Sequence, residues 1–212
     1  MLSNKIEFVF QNKVHKILNP DPNETVLNFV RLNLKKTGTK EGCAEGGCGA
    51  CTIVLGELHN NKIFYKSINS CITFLPALNG KQLILIENLT SESGKLHSVQ
   101  NAMVNFHGSQ CGFCTPGFVM SMFAMFKNNK SINNELINDS ISGNLCRCTG
   151  YRPIIDAAKS LNDLSRYDHF DKDKFITLKL LKKITKKNIE ITNINKKYFA
   201  PKTVKDLKKI LN

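Results

Sequence analysis

Eight cysteines carry most of the chemistry available to this 212-residue sequence, and they fall into two groups of four. The first is dense: Gly42-Cys43-Ala44-Glu45-Gly46-Gly47-Cys48-Gly49-Ala50-Cys51, with Cys71 further on. The spacing Cys-x4-Cys-x2-Cys with a remote fourth cysteine is one that holds a plant-type [2Fe–2S] cluster. The glycines suit that use. A loop wrapping a cluster turns tightly and aims its N–H groups at sulfur. Glycine accepts the positive φ angles and the close backbone approach this needs. Thiolates make such a site anionic, so amide donors stabilise it.

The second group is Cys111-Gly112-Phe113-Cys114 and, after 31 intervening residues, Cys146-Arg147-Cys148. Each pair sits at the N-terminal approach to an expected helix, one opening at Pro116 and one at Pro153. Helix N-termini offer unpaired N–H groups and a positive dipole end, which favour an anionic group. Four cysteines in two pairs also describe a zinc site. Free buried cysteines are a third reading, disfavoured because all eight cysteines group by fours. The five histidines, His15, His59, His97, His107 and His169, are scattered and suit surface or capping roles. No Ser/His/Asp arrangement, phosphate-binding glycine loop or paired acid–base carboxylates can be picked out.

Composition narrows the class. Hydrophobic residues make up 42%, enough for packed cores. No stretch approaches the roughly 20 apolar residues of a membrane span, and the N-terminal apolar run is too short for a secretory signal. The expected location is cytoplasmic, where clustered cysteines point to metal or redox chemistry rather than disulfides. The net charge is +13, of which +9 lies in residues 166–212, with 14 Lys and Arg against 5 Asp and Glu. Such a tail suits a solvated linker better than a nucleic-acid surface, because no aromatics are interleaved with its lysines.

The cysteines need elements to position them. Ile6, Phe8 and Phe10 alternate, Gln11-Asn12-Lys13 turns, and 14–18 runs back, which predicts a hairpin. Thr25 can cap a helix with the stripe Val26, Leu27, Val30 and Leu34, stopped by Gly38. Strands are expected at 52–55, 63–65 and 83–87, giving a mixed sheet crossed by one helix. After residue 88 the period becomes helical. Val99, Met103 and Phe106 mark one helix. Thr115-Pro116 starts another with Phe118, Val119, Met122 and Phe126 inward. A third covers 135–141, stopped by Gly143. A fourth opens at Pro153 with Ile154, Ala158, Leu161 and Leu164 inward. Met120, Met122 and Met125 read as core filling. Residues 166–197 read as a linker with limited structure beyond 174–183. A last helix runs through Leu207 and Leu211.

The fold class is therefore α+β with an all-α unit behind it. Three motifs carry a resemblance to a known family: Glu41-Gly42-Cys43-Ala44-Glu45-Gly46-Gly47-Cys48-Gly49-Ala50-Cys51-Thr52; Gln110-Cys111-Gly112-Phe113-Cys114-Thr115-Pro116-Gly117; and Gly143-Asn144-Leu145-Cys146-Arg147-Cys148-Thr149-Gly150-Tyr151-Arg152-Pro153-Ile154. In this order they resemble the iron–sulfur region of xanthine dehydrogenase and related molybdenum hydroxylases, over about residues 5–165. Tyr198-Phe199-Ala200-Pro201 looks like the opening of that family's FAD-binding domain, which points to the small iron–sulfur and flavin subunit of the bacterial enzymes.

The resemblance implies a β-grasp ferredoxin-like domain over 1–88 and a four-helix domain over 89–165, each with one [2Fe–2S] cluster. It implies a linker over 166–197 and a truncated start of the FAD-binding domain over 198–212. Ligands would be Cys43, Cys48, Cys51 and Cys71, then Cys111, Cys114, Cys146 and Cys148. Gln110 and Cys148 would contact the molybdopterin, which a large partner subunit holds together with the substrate hydroxylation site. Electrons would run from molybdenum through the helical-domain cluster and the ferredoxin-like cluster to FAD, held in cis or on a separate chain. Xanthine, and with it purine catabolism, rests on the resemblance alone. The alternatives are a stand-alone iron–sulfur subunit of an aldehyde- or carbon monoxide-oxidising enzyme and, from another class, a zinc-stabilised binding module. No membrane partner is expected.

Overall fold

The computed structural model describes residues 4–184, 189–193 and 195–211. Met1 to Ser3 of the expected first domain, 185–188 and 194 of the expected linker, and Asn212 lie outside the described residues.

The hairpin forms as its alternation predicts, from β1 (Lys5–Phe10) and β2 (Lys13–Leu18). Gln11 and Asn12 both take positive φ at its turn, 49° and 56°. A two-residue turn of this hand matches the twist of the strands it joins. Asn60 and Asn61 do the same between β3 (Thr52–His59) and β4 (Lys62–Asn69). With β5 (Gln82–Ile84) these strands make one mixed sheet in the order β2-β1-β5-β3-β4, parallel only between β1 and β5.

Both faces of this sheet are covered. On one, Ile6, Phe8, Phe10, Ile53, Leu55 and Leu83 meet Val26, Phe29 and Val30. On the other, Val54, Tyr65 and Ile84 join the core of the helical unit. That double burial explains why 52–55 reads as a continuous apolar run without alternation.

The crossing helix differs from expectation. Thr25 caps α1 (Val26–Asn28) by accepting the Asn28 N–H, but the helix continues as a π-helical stretch over Phe29–Asn33. It ends at Asn33, two residues before Lys35, whose φ is +56°, and not at Gly38. Gly38 has another constraint: a Cβ there would lie 2.5 Å from Ile86 Cγ2. The strand expected over 83–87 stops at Ile84, and a 3₁₀ turn, Ile86–Asn88, follows. Asn88 turns the chain by accepting the Leu85 N–H through its side chain at 2.8 Å.

Four helices follow: α2 (Ser98–Asn105), α3 (Thr115–Asn128), α4 (Asn134–Ile141) and α5 (Arg152–Ser160). Ten consecutive residues of α3, Gly117 to Phe126, are buried. A helix apolar all round belongs in a core, and here the sheet covers one side while α2 and α4 contact α3 elsewhere. Phe106, expected within its helix, and Leu164, expected inward, are 41% and 39% exposed because each lies just past its helix.

Residues 166–197, expected to hold little structure beyond 174–183, contain α7 (Lys174–Ile184) at that place and also α6 (His169–Lys172) and β6 (Ile189–Asn193), which pairs with β7 (Lys196–Ala200). Phe170 enters the helical core, Leu181 and Ile184 pack on Val9, and Ile189 and Ile191 enter the core beside α1. The segment therefore packs on both units. Asp168 anchors its start: it accepts from His97 Nε2 at 2.8 Å and Lys127 Nζ at 3.0 Å, and it caps α6. In α8 (Val204–Leu211) no residue is buried.

Candidate metal centres

The structure brings the cysteines together in the two expected groups of four, and within each group they meet two by two. In the loop 42–51, Cys43 Sγ accepts N–H groups from Gly47 and Cys48, each at 3.3 Å, and from Glu45 at 3.5 Å. The Cys43 N–H donates to Cys48 Sγ at 3.4 Å. Cys51 Sγ and Cys71 Sγ lie 3.3 Å apart. Ala44, Gly46 and Gly49 take positive φ to point these amides inward. A Cβ at Gly42 would lie 2.8 Å from Cys48 Sγ, so any larger residue there would displace that thiol. Asn69 ties the loop to β4 by donating to Gly46 O at 2.6 Å.

This electrostatic setting splits the thiols. N–H donors from Glu45 and Cys48 lower the Cys43 thiol to about 7. Burial, then the Cys51 thiol beside it, pushes Cys71 up to about 12. Leu27 shields Cys51 and Cys71.

In the second group, Cys148 Sγ lies 3.5 Å from Cys111 Sγ, and the free Cys114 thiol hydrogen-bonds to the Cys146 sulfur. Cys111 and Cys148 are exposed, and Cys146 is buried. Burial, then the Cys146 thiol, raises Cys114 to about 12. Burial alone would raise Cys146 as well, but the Thr149 hydroxyl and N–H outweigh it and hold Cys146 below its ordinary value. Cys114 is the N-cap of α3, while Thr115, expected as the cap, is the first helical residue and donates to Ser109 Oγ at 2.7 Å. The Cys146 N–H donates to the Tyr151 hydroxyl at 3.0 Å. Gly150 and Tyr151, both at positive φ, turn the chain from the Cys-x-Cys pair into α5. Gln110 is exposed beside Cys111.

Some residues of the Gly143–Ile154 motif have a role that their type and spacing do not disclose. Thr149 and Tyr151 support Cys146 through a hydroxyl each. Asn144 reaches across 95 positions to Gly49. Only a three-dimensional contact reveals these roles, because asparagine or threonine beside a glycine reads locally as a turn.

Pairing by twos is what an iron–sulfur cluster of two irons needs, with two thiolates on each iron. A single zinc ion needs all four sulfurs about 2.3 Å from one point. The inward N–H groups and the glycine cradle thus fit a [2Fe–2S] group at each site.

Known proteins agree. A family described as "2Fe-2S iron-sulfur cluster binding domain" matches residues 9–75, and one described as "[2Fe-2S] binding domain" matches 85–159. Xanthine dehydrogenase of Blastobotrys adeninivorans is 48% identical over 163 residues, covering 76% of this chain and 12% of that protein. Aldehyde oxidase 1 of Oryctolagus cuniculus is 45% identical over 142 residues, covering 66% and 11%. The chain thus spans about an eighth or less of the length of these two relatives. Among solved structures, quinoline 2-oxidoreductase from Pseudomonas putida 86 superposes with a TM-score of 0.62 at 30% identity, covering 75% of this chain and 93% of that one. The chain belongs to the family of two-cluster [2Fe–2S] electron-transfer modules of the molybdenum hydroxylases.

Proposed function

We propose that this chain carries electrons within a xanthine dehydrogenase-like molybdenum hydroxylase of the cytoplasm, between a molybdopterin centre on a large partner subunit and FAD. One observation carries the reading: two sets of four thiols, each arranged as two pairs, with N–H donors aimed at Cys43 and Cys146. Cys43, Cys48, Cys51 and Cys71 would hold one cluster, and Cys111, Cys114, Cys146 and Cys148 the other. When bound, the clusters supply one-electron transfer. The chain's own residues hold the thiolates, offset their negative charge with amide donors and exclude water from Cys51 and Cys71. Exposed Cys111 and Cys148 leave the second site open toward a partner, with Gln110 beside it to hydrogen-bond the pterin. Substrate hydroxylation lies elsewhere in the enzyme.

A second reading has its own support. The quinoline 2-oxidoreductase chain is covered over 93% of its length, so this module suits a separate iron–sulfur subunit as well. Both readings make the same prediction for Cys48→Ser: one of two electron paramagnetic resonance signals disappears and the helical-domain signal remains. Loss of both signals together would contradict independent sites.

A further inference from the structure

The two cysteine loops touch, and one side chain, that of Asn144, makes two hydrogen bonds across the joint. Asn144 is 4% exposed and sits two residues before Cys146. Its Nδ2 donates to Gly49 O at 3.0 Å and to Thr52 Oγ1 at 3.2 Å. Its Oδ1 accepts from Ser121 Oγ of α3 at 2.6 Å. Thr52 Oγ1 in turn donates to Gly49 O at 2.6 Å. Three of the four bonds an amide side chain can make are thus used inside the protein. Gly49 stands between ligand candidates Cys48 and Cys51, so these bonds run from one loop to the other.

The backbones around Asn144 leave no slack. Leu145 N donates to Cys48 O at 2.9 Å. A Cβ on Gly49 would strike Gly143 O, and a Cβ on Gly117 would strike Gly49 O. The loops therefore meet backbone to backbone, and buried polar groups at such a joint are costly to leave unpaired.

We propose that Asn144 is a positioning residue that sets the distance and orientation between the two iron–sulfur sites. This rests on the two-cluster reading above. The donor half of the amide is the decisive half. Asp at this position has nearly the same shape and can still accept from Ser121, but an ionised carboxylate places oxygen against Gly49 O and has nothing to donate.

The test uses the full chain loaded with iron and sulfide, fully reduced with dithionite. The readout is the splitting of the electron paramagnetic resonance signals by magnetic interaction between the two centres. That splitting depends on separation and orientation, and a residue needed only for folding would not change it at constant iron content. N144D and N144L are expected to keep wild-type iron and sulfide yet lose the splitting, with S121A reducing it. Wild-type splitting in N144D would overturn the proposal. Should the Asn144 variants fail to load or fold, S121A decides: reduced splitting supports the proposal and unchanged splitting overturns it. If the wild-type chain holds no iron or sulfide, the two-cluster reading itself falls. The joint is then read from hydrogen exchange at the Leu145 amide, where faster exchange in N144D supports it and unchanged exchange overturns it.

Discussion

Gly117 shows how a single residue at these centres sets propensity against packing. It lies in the first turn of α3, where alanine gains about 1 kcal/mol of helix propensity over glycine. Its missing side chain is what admits the Gly49 carbonyl. Over-packing of this kind costs about 1–3 kcal/mol, so Gly117→Ala is expected to lower stability, against its helix propensity. A fall in the urea midpoint checks this, and a rise would mean that α3 does not press on the Gly49 carbonyl. At this scale the cysteines and loop glycines were legible from type and spacing. Asn144 was not, because its bonds to Gly49 and Thr52 join positions more than ninety residues apart. Tyr151 was not, because its left-handed backbone and its hydroxyl bond to Cys146 leave no periodic trace.

Among elements, α3 and the segment after residue 165 matter most. Phe123 is fully buried between Tyr65 of the sheet and Phe170 of the later segment. Phe123→Ala should cost about 3–5 kcal/mol, read as a lower denaturation midpoint. The same segment is held by Asp168. Burial works to raise that carboxyl, but the His97 hydrogen bond and the Lys127 ammonium outweigh it and hold it well below the usual carboxylate range. A depressed folded value means the stabilisation is present above the unfolded value of about 4 and is lost as pH falls through the folded value. Asp168→Asn should therefore cost about 3 kcal/mol at neutral pH, the low end for breaking a buried pair, since Asp171 still meets Lys127 at 2.6 Å. Urea titrations across pH should show this difference shrinking below about pH 4. A difference independent of pH would remove the ion pair as its cause. Outside 174–183 the structure of this segment is hidden because its apolar signals are short. Thr177, Leu181 and Ile184 on α7, and Ile189 and Ile191 on β6, are few beside fourteen Lys and Arg in residues 166–212. Composition outweighed a stripe that the sheet and α1 complete only in three dimensions.

At the scale of the whole molecule, two four-thiol sites are locked to one another by Asn144 and strapped by the segment that packs on both units. The Cys111 and Cys148 thiols remain open to solvent. If that face meets the molybdopterin through Gln110, Gln110→Ala should leave both sites loaded and reducible by dithionite, while slowing their reduction by substrate in the complete enzyme. Rapid-mixing absorbance resolves the two steps, and unchanged substrate-driven reduction would remove Gln110 from the route. Beneath all of this lies the identity of what the eight cysteines hold, and elemental analysis of the purified chain tests it most directly. Two [2Fe–2S] sites predict four irons and four acid-labile sulfides per chain, with no stoichiometric zinc. Two zinc ions per chain and no sulfide would contradict the account.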